Sequence, residues 1–255
     1  MFIPVNDVNR RSWIRYHYVT VALIAACILV FFLQVAGGEE AFNTIVYAFG
    51  TIPSVLFGAK SLPPELALIP AWLTLATGIF LHGDIMHLLG NMLFLWVFGD
   101  NVEDAMGHGK FLLFYLLCGV IAALAHSIVD PGTDMPLIGA SGAISGVLGA
   151  YFILHPRVQV WVLLFAFIPV RLPTFIVLGS WALLQLVQSL NSNPQTDNVA
   201  WWAHIAGFAS GAWLIRYFRY PHVALWDTSK SGSIDVGGLR LRGGSRNRKK
   251  DGDPR

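Results

Sequence analysis

Charge is what this sequence has least of. Asp, Glu, Lys and Arg make up 13% of its 255 residues, against about 25% in a typical soluble domain. Hydrophobic residues reach 55% and the mean hydropathy is +0.58. These figures exclude an ordinary soluble domain and point to a chain that crosses a membrane several times. Cysteine is as sparse. Cys27 and Cys118 are the only two, and each sits inside an apolar run. They supply neither a disulfide framework nor a thiolate zinc site, and read as small core residues. A signal-peptide cleavage site is missing as well. The first apolar run, residues 19–35, is longer than the about 7–15 residues of a signal-peptide core and no A-x-A site follows it. It is expected to remain as the first helix.

Apolar runs are what the chain has instead. Six spans emerge, at residues 19–35, 84–98, 111–129, 141–154, 174–190 and 201–217. A crossing helix needs about 20 residues. The second and fourth fall short, and helix-breaking sequence precedes each: Pro70 and Gly83 before one, Pro131, Pro136 and Gly139 before the other. Residues 66–81 read as a loop partly embedded in the outer interface. Residues 158–170, between Arg157 and Arg171, are too short to cross and read as an interfacial segment. The expected fold is all-α, a polytopic membrane protein with a bundle of six transmembrane helices. Residues 1–18 form its N-terminal segment, 19–220 the helical domain and 221–255 a basic, disordered tail.

Basic residues choose the orientation. With the N-terminus inside, the cytoplasmic segments hold Arg10, Arg11, Arg15, Lys110, Arg157, Arg171 and the ten basic residues from Arg216 onward, so that only Lys60 lies outside. The tail, with "RGGSRNRKK" near its end, suits anionic lipid headgroups better than nucleic acid.

Ionisable and polar groups inside spans are costly and mark function. The second span opens within "HGDIMHLLGNMLFLW" and carries His87 and Asn91, four apart and so on one helix face. The fourth opens at Ser141 within "LIGASGAISGVLGA", and the sixth carries His204. All three spans run from outside to inside. At 1.5 Å per residue, His87 and His204 lie about 5 Å and Asn91 about 10 Å below the starts of their spans. Ser141, His204, His87 and Asn91 therefore share a depth in the outer leaflet. Gly142, Gly146 and Ala150 recur every four residues, as do Ala203, Gly207 and Gly211. Such small-residue faces let helix backbones approach closely. If the two faces meet, Ser141 and His204 come within reach, giving a hydroxyl nucleophile with a base beside it. The unpaired N–H groups at the start of the Ser141 helix, with donors from Asn91 and His87, would then form an oxyanion hole. No third carboxylate is evident; Asp84 and Asp134 lie near the outer surface. The bland reading is that the glycines only pack and the histidine only fills space.

With these residues in place, the sequence resembles the rhomboid family of intramembrane serine proteases. The family's marks stand here as "GASG" (139–142), "HGDIMHLLGN" (82–91) and "AHIAGFASG" (203–211), in order and at the right spans; "FGDNVEDAMG" after the second span is similar too. The resemblance covers residues 3 to 217. It implies a six-helix bundle with a water-filled active site open to the outside. It implies Ser141 as nucleophile, His204 as general base, His87 and Asn91 as oxyanion donors, and a structural role for His82. It also implies substrates that are other membrane proteins, cut near the outer end of a transmembrane segment, and entry past a mobile fifth helix. Two positions depart from the pattern. Trp72 is followed by Leu73 where many relatives have Trp-Arg, and Ser145 stands where some have an aromatic residue.

Three rival readings remain open beside it. A metalloprotease would use His82, His87 and His204, but no Glu stands between the first two as H-E-x-x-H requires. A transporter would place its polar groups at mid-depth and show inverted repeats; the sequence shows neither, its polar groups clustering near one surface. A non-catalytic scaffold would bind membrane helices with an idle dyad. The expectation is a serine endopeptidase with no cofactor or metal. Its partners are transmembrane protein substrates and the lipid bilayer, with no nucleic acid; no feature specifies an oligomeric state. The compact form without an organelle-targeting segment points to a bacterial plasma membrane, with both termini cytoplasmic.

Overall fold

A computed structural model describes residues 2–9, 11–164, 167–191 and 199–227. The first apolar run forms α1 (Tyr18–Ala36), without a charged residue along its length. Leu29, Phe32 and Leu33 of α1 are exposed, a stripe suited to lipid rather than water. A second helix, α2 (Gly38–Phe49), and a short α3 (Pro53–Leu56) follow. Residues 66–81 do not form a crossing helix. Their last part folds into short turns, Ala71–Leu73, α4 (Thr74–Thr77) and Gly78–Phe80. Five longer helices complete the bundle: α5 (Ile85–Met106), α6 (His108–Val129), α7 (Ser141–Leu154), α8 (Thr174–Asn191) and α9 (Trp201–Phe218). By length and composition α1, α5, α6 and α8 can each cross a membrane.

The short helix is the central one. Apart from Ser141 and Phe152, every residue of α7 is buried. Its 14 residues span about 21 Å, less than the about 30 Å of a bilayer core. Wrapped by its neighbours, α7 does not have to meet lipid, so it can be shorter than they are. Leu95 and Phe98 of α5, Phe114 and Cys118 of α6, and Val147, Leu148 and Tyr151 of α7 share one apolar core.

The second span is longer than its hydropathy predicts. Asp84 caps α5 by accepting the His87 N–H at 2.9 Å. The helix then continues past Phe98 to Met106, through charged residues that hydropathy reads as loop. Of these, Glu103 and Asp104 are buried and used. Glu103 accepts the Val19 N–H (3.0 Å), the Thr20 N–H (2.8 Å) and the Thr20 hydroxyl (2.6 Å). It thereby satisfies the free donors at the start of α1, whose own preceding residue His17 provides no side-chain cap. Asp104 accepts the N–H groups of Ser12, Trp13 and Ile14, each at 2.7 Å. This is the structural content of "FGDNVEDAMG".

A small sheet departs from the all-helical expectation. Residues expected to lie along the interface fold into β2 (Gln159–Leu164) and β3 (Ile168–Pro173), and residues 2–7 of the N-terminal segment form β1 (Phe2–Asp7). The strands pair antiparallel in the order β1-β2-β3. Val160 and Val162 are buried while Trp161 between them is exposed, the period-two pattern of a half-buried strand. At the other end of the chain, packing continues beyond Tyr220. Val223 is buried, and the N–H groups of Trp226 and Asp227 donate to the carbonyls of Ile153 and Leu154 at 2.9 and 3.0 Å. The remainder of the expected tail, 228–255, lies outside the described residues. Both described ends thus gather at one end of the bundle.

One carboxyl there is held for a pH effect. Asp7 Oδ2 accepts from the Tyr151 hydroxyl at 2.5 Å and from Asn101 Nδ2 at 2.9 Å. Burial pushes this carboxyl up from 3.8 to about 7; the Tyr151 hydrogen bond opposes the rise and the nearby Asp100 charge adds to it. The protonated form therefore favours the native state. That contribution is complete below 3.8 and is lost as pH rises through about 7. Asp7→Asn keeps an acceptor for Tyr151 and removes the ionisation. It is expected to raise Tm above neutrality and to flatten the pH dependence of Tm across that window; an unchanged profile would show that Asp7 contributes nothing to it.

Candidate functional site

Ser141 is the first residue of α7, and Gly139 makes that start possible. Gly139 has φ +120°, and a Cβ there would lie 2.8 Å from the His87 ring. Only glycine satisfies both constraints. The two small-residue faces do meet. A Cβ on Gly207 would collide with the Gly142 carbonyl, one on Gly211 with the Gly146 carbonyl, and one on Gly149 with the Phe208 carbonyl. Backbone therefore lies on backbone between α7 and α9. The result at their N-terminal ends is a contact of 2.9 Å between Ser141 Oγ and His204 Nε2.

A cavity of about 790 Å³ opens at this pair, and His87 and Asn91 line it as well. Its size falls in the range of ligand sites, roughly 300–1,000 Å³. Asn91 is buried, yet its Nδ2 has no hydrogen-bond partner among the described residues. A buried amide donor without an acceptor is expensive; Asn91 lines this cavity, where an entering group could supply the acceptor. The His87 ring stands between Gly139 and His82, with the His82 ring edge-to-face at 5.3 Å. His82 itself is fully buried behind His87. Its backbone is held both ways by Gln34, which accepts the His82 N–H at 3.1 Å and donates to the His82 carbonyl at 3.2 Å. His82 does not line the cavity.

Neither nearby acid joins the histidine. Asp84 caps α5. Asp134, exposed, pairs with Lys60 and accepts from the Ser54 hydroxyl at 2.7 Å, and these partners hold its carboxyl below the usual range. The second nitrogen of His204 instead meets Gln185, a residue that the sequence reading did not single out: Nδ1 lies 2.7 Å from Gln185 Oε1. A signal for it existed. In the orientation expected from the basic residues, the fifth span runs opposite to the second, fourth and sixth, so depth is counted from its last residue. Gln185 then lies about 7–8 Å down, between His204 and Asn91. Gln188 has a similar claim by depth but is exposed. Ser145 hydrogen-bonds back to the Ser141 carbonyl at 2.6 Å. The aromatic neighbours of His204 are Trp181 and Trp201, each with its ring centroid 6.1 Å away.

The Rhomboid domain model matches residues 70–221. Among similar proteins is "Rhomboid protease GluP" of Bacillus subtilis (strain 168), 42% identical over 51% of this chain and 23% of its own length. "Presenilin-associated rhomboid-like protein A, mitochondrial" of Danio rerio is 27% identical over 74% of this chain and 48% of its own length. The Homo sapiens "Presenilin-associated rhomboid-like protein, mitochondrial" is 25% identical over 79% and 54%. The chain thus spans from about a quarter to about half the length of these relatives.

Proposed function

The chain belongs to the rhomboid family, and from that premise we propose that it is an intramembrane serine endopeptidase. It hydrolyses a peptide bond at or near the outer end of transmembrane segments in other membrane proteins. The observation that carries this reading is the 2.9 Å Ser141–His204 contact at a cavity shared with the unpartnered Asn91 amide. Ser141 Oγ attacks the scissile carbonyl as His204 Nε2 takes its proton. The charge that develops on the carbonyl oxygen is held by the Ser141 N–H, the Asn91 amide and the His87 ring N–H. His204 returns the proton to the leaving amine, and water entering the cavity hydrolyses the acyl-enzyme. Substrate reaches the cavity from the lipid past α8, whose Leu183, Leu184 and Leu190 are exposed. Both termini lie in the cytoplasm of a bacterial plasma membrane, a reading that the one-sided basic residues and the gathering of both described ends support.

Fluorophosphonate labelling of the folded protein in detergent tests the reading without a known substrate. A labelled Ser141 is expected. A folded protein that takes no label would favour the non-catalytic scaffold. Removing one oxyanion donor, with Asn91→Ala, is expected to lower kcat by about 10²–10³-fold, with KM little changed. Undiminished cleavage would take Asn91 out of the oxyanion hole.

A further inference from the structure

The two nitrogens of the His204 ring have different partners. Nε2 meets Ser141 Oγ at 2.9 Å and Nδ1 meets Gln185 Oε1 at 2.7 Å. Gln185 is 5% exposed and lies on the inward face of α8 with Val177, Leu178 and Ser189. It is not among the residues that line the cavity. It therefore touches the histidine from behind and has no route to a substrate. We propose that Gln185 is a positioning residue for the dyad: its amide oxygen accepts the His204 Nδ1–H and so holds the ring with a free Nε2 lone pair facing Ser141. The proposal rests on the reading of Ser141 and His204 as nucleophile and base.

A neutral imidazole carries one N–H, and the partner of one nitrogen decides which tautomer exists. With the proton on Nε2, the ring would donate towards Ser141 and could not take its proton. An acceptor at Nδ1 removes that tautomer and fixes the ring plane. Gln does so without placing an ion at membrane depth, where a carboxylate would be costly. Ser145 donates its hydroxyl to the Ser141 carbonyl, and it is Gln185 that meets Nδ1. Trp181, four residues before Gln185 and so on the same face of α8, packs beside the His204 ring. A single helix thus supplies both the acceptor and an aromatic wall for the base.

The test is the rate of fluorophosphonate labelling across pH, with Tm, for the wild type, Gln185→Met and Gln185→Glu. Besides Ser141, the titratable groups that face His204 are His87 on α5 and His126 on α6, and all variants keep both. Gln185→Met retains length but loses the acceptor, and is expected to label at least about 10–100-fold more slowly, the scale seen for the orienting partners of metal-bound histidines. Gln185→Glu restores an acceptor. It is expected to recover labelling and to move the acid limb of the profile to higher pH, because a carboxylate at Nδ1 favours the protonated ring. Labelling of Gln185→Met at the wild-type rate with an unmoved acid limb would overturn the proposal. So would Gln185→Glu that is as slow as Gln185→Met with its acid limb unmoved, since that is the result of a purely structural role. A folded wild type that does not label removes the dyad reading itself, and the wild-type arm separates that failure from a failure of Gln185 alone.

Discussion

Ser141→Ala and His204→Ala are each expected to abolish cleavage of a transmembrane substrate, a loss of about 10⁶-fold in kcat on the scale of other serine–histidine pairs. The two groups act as one unit, so the double variant should lose no more than either single one. Their effects on stability should differ. Ser141 borders the cavity, so removing its hydroxyl exposes the His204 nitrogen to the cavity and should leave Tm unchanged. Removing His204 leaves the buried Gln185 oxygen without its partner, at a cost of about 1–3 kcal/mol. Cleavage measured in proteoliposomes, with Tm beside it, checks both statements. Persistent cleavage by Ser141→Ala would remove Ser141 as the nucleophile.

Gly211→Val is the second change with a large expected effect, although Gly211 lies far along α9 from the reacting atoms. A Cβ at Gly211 would collide with the carbonyl, and crowd the α-carbon, of Gly146. These are backbone atoms on both sides, so no side chain can turn aside and the helices must separate. Overpacking of this kind costs about 1–3 kcal/mol. The effect on activity is larger, because a displacement of about 1 Å between reacting groups can cost about 10²-fold. Gly109→Ala is the control: a Cβ there meets nothing within 4 Å. Labelling and Tm should both fall for Gly211→Val and both hold for the control. Unchanged labelling by Gly211→Val would show that the α7–α9 contact does not set the dyad distance.

Much of this was legible in the residues. Apolar runs fall close to six of the helices because an apolar composition is a property of each segment alone. The glycine spacing on the fourth and sixth spans marked the two faces that meet, and the depth of Ser141, His204, Asn91 and His87 marked the cavity. The Rhomboid domain match to residues 70–221 agrees with the family resemblance of those marks. Local patterns suffice here because each is a statement about one helix and its own period.

What stayed hidden concerns partners distant in the chain. Glu103 and Asp104 look like loop charges until the N–H groups of residues 12–20 arrive beside them. The strand pattern at 159–164 needs β1, more than 150 residues earlier, to become a sheet. Gln185 and Gln188 are equivalent in hydropathy and separated by one helical turn. Only the packing of α8 against α9 turns one of them to the histidine and leaves the other exposed. Segment hydrophobicity and helical period are written into neighbouring residues. Which buried polar group finds which partner depends on how whole helices pack, and no single stretch of chain contains that information.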